Sequence, residues 1–289
     1  MDRPAGTDES AHRDAVGQAR AQREARLRDP MGWLALVGLH WLEPGRQRFG
    51  GGATNEIVLP AHDGEVPLVA GTLEVISDRV LVHPADGAAL TVAGLPVVEA
   101  LELVDEDEEA ATTLELASLR LVLIRRGAGR LGLRVRDTAA PLLAAFRGLE
   151  YFDIDAGWRV TGRLLRAGPD ATIPVPDVLG DVVAGRTPGV VELDLGGQTH
   201  RLHALEAGPG ALWLVFGDET NGHETYGGGR FLVSGPVQDD DSVEVDFNLA
   251  YNPPCVFSHH ATCPLPPSGN RLAVRIEAGE RAWRAPGPA

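Results

Sequence analysis

Two short stretches hold the side chains most capable of chemistry. The first is DFNLAYNPPCVFSHHATCPLPP, residues 246–267, which packs both cysteines, two adjacent histidines, two asparagines and five prolines into one segment. Each proline fixes φ and removes a backbone donor, so this run is a stiff loop and neither a regular helix nor a central strand. Loops held on a rigid scaffold are where binding and catalytic groups concentrate. Asp246 and Asn248 are spaced by two, which predicts that both leave the same face of a strand. Tyr251 and Asn252 then enter the proline turn. A carboxylate, two amides and a phenol on one rim suit recognition of a small polar ligand, with Asp246 as a base or acceptor. The competing reading is a buried network that pins the loop, because buried polar groups need partners.

Cys255 and Cys263 bracket His259 and His260. Three readings stay open. Cys255, His259 and Cys263 could ligate zinc, although C-x7-C is not a standard spacing for that metal. A disulfide could close the short loop. Reduced thiols that pack the loop are the preferred reading, with a nucleophilic cysteine activated by His259 as a variant of it. No cofactor is assigned.

The second stretch is DETNGHETYGGGR, residues 218–230, between the apolar runs ALWLVF and FLVSG. That placement predicts a hairpin-like loop at one end of a barrel. Asn221-Gly222 is a turn signal, and Gly227–Gly229 would let the backbone approach a ligand closely. Asp218 is a candidate general base. Tyr226 and Arg230 are candidates to face a pocket, with Arg230 as an anion contact. The alternative is a tight turn whose Asp and Thr side chains satisfy their own backbone. Glu277 and Glu280 could form an acid–base pair, but a surface position beside Arg275 and Arg281 is preferred.

The elements that must position these groups are mainly strands. Residues 8–28 have helical character, with Ala11, Ala15, Ala19 and Leu27 as the apolar positions. From residue 46, short apolar runs such as EIVLP, GTLEVIS and LVLIRR alternate with Gly, Pro and Asp, the pattern of a sandwich or barrel. DTAAPLLAAFRGLE, residues 137–150, reads as a short helix or connector at a domain boundary. The expected organisation is an N-terminal helix over residues 1–29, a β-sandwich over 30–140, and a second β barrel or sandwich over 141–289. The acidic run 105–109 reads as a solvated turn. Arg134 and Arg136 share a strand face, and one of them is expected to reach an acid of the second half.

Bulk properties exclude several functions. The net charge of −15, from 41 acids against 26 bases, would repel nucleic acid and anionic lipid. Every basic residue is arginine, so Schiff-base, P-loop and pyridoxal-phosphate lysines are ruled out. The N-terminus lacks a signal pattern and no apolar run reaches spanning length, so a cytoplasmic location without membrane insertion is expected. Common hydrolase, nucleotide-binding and zinc-protease motifs are missing.

Three segments resemble the DUF1684 family: GWLALVGLHWLEPG, FGDETNGHETYGGGRFL and DFNLAYNPPCVFSHHATCPLPPSGNRLAVRIEAGE. The family's name implies no activity. Its members place an aromatic or apolar residue where His260 sits, so the resemblance builds no mechanism on the histidine pair. GRQRFGGGATNEIVLP and LTVAGLPV also resemble parts of a forkhead-associated (FHA) domain, although its Ser-x-x-His pattern is absent. That resemblance implies an FHA-like sandwich in the first half, with Arg46 or Arg48 and Asn55 as phosphothreonine contacts. Two functions follow as expectations. The preferred one is a polar small-molecule site in the C-terminal β domain, with hydrolysis as the reaction considered. The alternative is a non-catalytic binding or scaffold module that recognises a protein or phosphopeptide through the FHA-like half.

Overall fold

The computed structural model describes residues 5–60, 65–127 and 129–285. The protein is mainly β. It divides into two compact units, Leu27–Phe146 and a second made of Met1–Arg26 with Arg147–Ala289. The long helix α1 (Ala5–Leu27), up to Arg26, thus groups with the C-terminal half.

The Leu27–Phe146 unit contains β1 (Leu36–Trp41), β2 (Gly45–Gly50), β3 (Ile57–Val58), β4 (Gly71–Ile76), β5 (Arg79–Pro84) and β6 (Thr91–Val92). It continues with β7 (Leu95–Pro96), β8 (Leu101–Leu103), β9 (Thr113–Leu116), β10 (Leu119–Arg126), β11 (Arg130–Asp137) and the short helix α2 (Pro141–Ala145). One sheet has the order β1-β11-β10-β9-β6-β7 and the other β3-β2-β4-β5-β8. Period-two alternation buries Gly71, Leu73 and Val75 on β4 while the residues between them stay partly exposed. Leu73 and Val75 share one core with Leu114, Leu116, Leu121, Leu133 and Val135 of the other sheet, which makes the unit a sandwich.

The acidic run forms a turn with Asp107, Glu108 and Glu109 exposed, as expected, but one of its acids differs. Glu106 turns inward and accepts hydrogen bonds from Arg134 and from Arg126 (2.7 Å), with Arg136 at 3.7 Å. The partner of Arg134 therefore lies in its own unit, where an acid of the second half was expected. Burial pulls Arg134 and Arg136 below the usual arginine range, and Glu106 opposes that shift.

The second unit contains β12 (Arg159–Arg166), β13 (Thr172–Pro176), β14 (Val182–Arg186), β15 (Gly189–Leu195), β16 (Gln198–Glu206), β17 (Ala211–Phe216), β18 (Arg230–Pro236) and β19 (Ser242–Asp246). Six strands run in the order β18-β17-β16-β15-β12-β19, and the two end strands lie side by side, so the sheet nearly closes into a barrel. Its interior holds Val191, Leu202, Leu214, Phe216, Leu232, Val245 and Phe247. β13 and β14 form a separate hairpin.

The inward stripe of α1 is His12, Val16, Arg20, Arg23 and Leu27, while Ala11 and Ala15 face solvent. These positions recur at helical spacing, but three of the five are polar. The helix is held to its unit by directed bonds as well as apolar packing.

Candidate functional site

β17 and β18 pair antiparallel with Phe216 opposite Arg230, so residues 217–229 close a hairpin. Inside that loop Asp218 is enclosed by donors. Its Oδ1 accepts from the Thr220 amide (2.8 Å), the Thr220 hydroxyl (2.6 Å) and the Ile276 amide (3.4 Å). Its Oδ2 accepts from Arg230 Nη2 at 2.6 Å. The Arg230 guanidinium also donates to the carbonyls of Ile276 (2.9 Å) and Ala278. Arg230 is fully buried and faces no open pocket. Burial pulls its guanidinium below the usual arginine range, and Asp218 opposes that shift. Asn221 completes the turn, accepting from the Asp218 amide at 2.7 Å and donating to the Thr225 hydroxyl and the Tyr226 carbonyl. Glu224 lies outside this network and pairs with exposed Arg275 at 2.7 Å.

β19 ends at Asp246, and a 3-10 turn follows at Phe247–Leu249. Asp246 and Asn248 therefore meet through a cap and not through the strand alternation expected from their spacing. Asp246 Oδ1 accepts from the Asn248 amide (3.0 Å) and from Asn248 Nδ2 (2.8 Å). Its Oδ2 lies 2.6 Å from Nε2 of His12 on α1. Asn248 also bonds the backbone of Asp155 in both directions, at 2.8 and 3.1 Å.

The same helix reaches Tyr251 and Asn252. Arg23 donates to Glu280 Oε1 (2.9 Å) and to the Asn252 carbonyl (2.9 Å). Glu280 Oε2 accepts from the Asn252 amide at 2.7 Å. The Tyr251 ring lies under the Arg23 guanidinium at 5.0 Å and edge-on to Phe231. Burial raises the Tyr251 phenol and the Glu280 carboxyl above their ordinary ranges. Glu280 is buried, whereas a surface position was expected for it; Glu277 is exposed beside Arg275.

Tyr226, Cys255 and Cys263 come together where the two loops meet. Neither cysteine is in a disulfide; Cys255 is partly exposed and Cys263 buried. The Cys255 amide donates to Cys263 Sγ at 3.1 Å. Hydrogen bonding from Cys263 draws the Cys255 thiol below the usual thiol range, and burial opposes this. Burial raises the Tyr226 phenol, and the two neighbouring sulfurs add to the effect. His259 is exposed, and burial lowers His260. Among the described residues no three His, Cys, Asp or Glu side chains come close enough to hold a metal ion.

A profile of the family described as "Protein of unknown function (DUF1684)" matches residues 144–281. The chain belongs to this family. The DUF1684 match covers the loops just described and leaves the GWLALVGLHWLEPG segment outside it. An uncharacterised protein of Haloarcula marismortui, solved by solution NMR, is 34% identical over 47% of this chain and 77% of its own, with a TM-score of 0.40. An FHA domain studied for phosphothreonine-dependent interactions is 18% identical over 34% of this chain and 92% of its own, with a TM-score of 0.23. No curated protein matches.

In this DUF1684 chain the residues chosen from sequence fall into three groups. Asp218 and Arg230 form one buried cluster. Asp246, Asn248, Tyr251 and Asn252 line a second, against α1. Tyr226, Cys255 and Cys263 form the third, which is the most open to solvent. Sequence reading missed His12, Arg20 and Arg23. The signal that could have found them is the helical spacing of His12, Val16, Arg20, Arg23 and Leu27.

Proposed function

We propose that this DUF1684 chain is a non-catalytic binding module whose small polar ligand docks at the rim formed by residues 217–229 and 251–267. One observation carries the reading: Asp218 and Asp246, the two candidate bases, each have both carboxylate oxygens held by internal donors. A general base must reach a substrate proton directly or through one water. A carboxylate enclosed this way serves the loop that it caps. The partly exposed groups left at the rim are the Tyr226 phenol, the Cys255 thiol and the His260 imidazole. They offer hydrogen-bond donors and acceptors beside proline-stiffened backbone, which suits recognition without a large ordering cost.

The phosphopeptide alternative has less support. Arg46 pairs with Glu74 at 3.1 Å, Arg48 pairs with Glu56 at 3.4 Å, and Asn55 turns inward to the Leu68 carbonyl at 2.7 Å. The test is a proton–nitrogen correlation NMR screen against pooled polar metabolites. Binding should shift resonances of residues 217–229 and 251–267. Turnover of an ester, amide or phosphoester that falls in Asp218→Asn or Asp246→Asn, with unchanged unfolding midpoint, would overturn the proposal.

A further inference from the structure

The two cysteines lie against each other in a loop that gives them unequal access to solvent. Cys255 sits in a 3-10 turn at Pro254–Val256 and is partly exposed. Cys263 is 4% exposed, and its backbone is fixed by the Val178 amide, which donates to the Cys263 carbonyl at 3.0 Å. The chain between them reverses through a turn in which the Ala261 amide donates to the Ser258 carbonyl at 3.2 Å. This reversal brings Cys263 Sγ to 3.1 Å from the Cys255 amide, which donates to it, and so sets the two cysteines beside each other. The Cys255 thiol also faces the Ala261 carbonyl at 3.6 Å. Prolines 253, 254, 264, 266 and 267 restrict the backbone on both sides of the pair.

We infer that Cys255 and Cys263 form a reversible redox site, in which a hydroperoxide oxidises Cys255 and Cys263 resolves the product as an intrachain disulfide. An outer thiol open to solvent and an inner thiol in contact with it are the two parts such a site needs. The Cys255 thiolate attacks one peroxide oxygen and the O–O bond breaks. Cys255 becomes a sulfenic acid, and the departing alkoxide or hydroxide takes up a proton. The Cys263 thiol then loses its proton and attacks the Cys255 sulfur, displacing hydroxide, which leaves as water. Two thiols and one hydroperoxide thus give one disulfide, one alcohol (or water, from hydrogen peroxide) and one water, with two electrons passing from sulfur to the peroxide. A dithiol reductant reverses the change by exchange. Hydrogen bonding that favours the Cys255 thiolate assigns the attacking role to the outer sulfur.

The test is intact-mass analysis of the reduced, purified chain treated with hydrogen peroxide. The expected product is lighter by two hydrogens, with both thiols lost to labelling and the change confined to the tryptic peptide 231–271, which holds both cysteines. Dithiothreitol should restore the mass. In Cys263→Ser, Cys255 should gain one oxygen and be trapped by dimedone; in Cys255→Ser, Cys263 should stay reduced over the same period. Three outcomes in the wild-type protein overturn the inference: oxygen adducts on both sulfurs without the lighter species, disulfide-linked dimers in its place, or no change at a peroxide dose that oxidises N-acetylcysteine. None of these needs a variant to fold.

Discussion

Arg230 and Asp218 form an ion pair sealed from solvent, with Nη2 2.6 Å from Oδ2 and both side chains fully buried. Two carbonyls from the segment after the proline loop also accept from the guanidinium, so one arginine ties β18, the 217–229 loop and residues 276–278 together. Removing one partner leaves the other charged and unpaired in the interior, which costs about 3–5 kcal/mol. Asp218→Ala and Arg230→Met should each lower stability by that order in urea unfolding. The double variant should lose clearly less than the sum of the two. Strict additivity would show that the pair is not coupled.

His12 connects α1 to the barrel through Asp246 Oδ2. His12→Ala leaves a buried carboxylate oxygen without its donor, at a cost of about 1–3 kcal/mol. His12→Gln retains a side-chain donor and should recover part of that loss. Equal unfolding midpoints for the two variants would show that helix packing, and not the hydrogen bond, sets the effect.

The strand-rich architecture was legible because alternation and turn residues are local signals. The hairpin of residues 217–229 could be read from two flanking apolar runs, Asn221-Gly222 and the glycine triplet. The α1 stripe was not legible by the same means. It carries His12, Arg20 and Arg23 where an apolar search looks for leucine, and the partner of His12 lies 234 residues away. Glu106 was hidden for a related reason. Five consecutive acids read as a solvated turn, and only the fold shows that one of them enters an arginine cluster. Asp218 and Asp246 were read from sequence as candidate general bases, and each has both carboxylate oxygens hydrogen-bonded inside the fold. Sequence carries the type of a carboxylate but not the donors that will surround it, so an acid that caps a loop and one that moves a proton look alike.

Glu106 is the shared acceptor for Arg126, Arg134 and Arg136. Glu106→Gln keeps the shape but removes the charge that balances a buried guanidinium. The Leu27–Phe146 unit should lose about 3 kcal/mol or more. Asp107→Asn removes only an exposed ion pair with Arg126 (3.0 Å) and should stay within about 1 kcal/mol of wild type. A mild effect at Glu106 would mean that the arginines find other partners or water.

Glu280 predicts a pH dependence of definite sign. Burial raises its carboxyl above the ordinary range, and Arg23 and the Asn252 amide only partly offset this. The native state therefore holds the proton where the unfolded chain has released it. Because the unfolded state binds fewer protons there, stability falls as pH rises from the ordinary carboxyl pKa towards the raised one. Glu280→Gln removes this contribution. The stability of wild type relative to Glu280→Gln should be greatest on the acid side of that window and should decline through it, as read from urea midpoints at a series of pH values. A difference that grows with pH would mean that the Arg23 ion pair dominates and that the carboxyl is depressed.

Gly229 joins the two loops of the proposed rim. Its φ is +97°, and a Cβ there would lie 2.6 Å from the Phe216 carbonyl and 2.7 Å from Pro266. The φ lies in the region that side chains avoid, and the nearest atom belongs to backbone that cannot turn aside. Gly227 stands two residues earlier in the same loop, has no positive φ and has nothing closer than 3.7 Å to such a Cβ. Gly229→Ala should therefore destabilise by about 1–3 kcal/mol or more from strain and clash, while Gly227→Ala should be close to neutral. The comparison holds loop, composition and substitution constant, so the difference in unfolding midpoint isolates the local geometry. Similar midpoints would show that the close approach of the 217–229 loop to Pro266 is not maintained in solution.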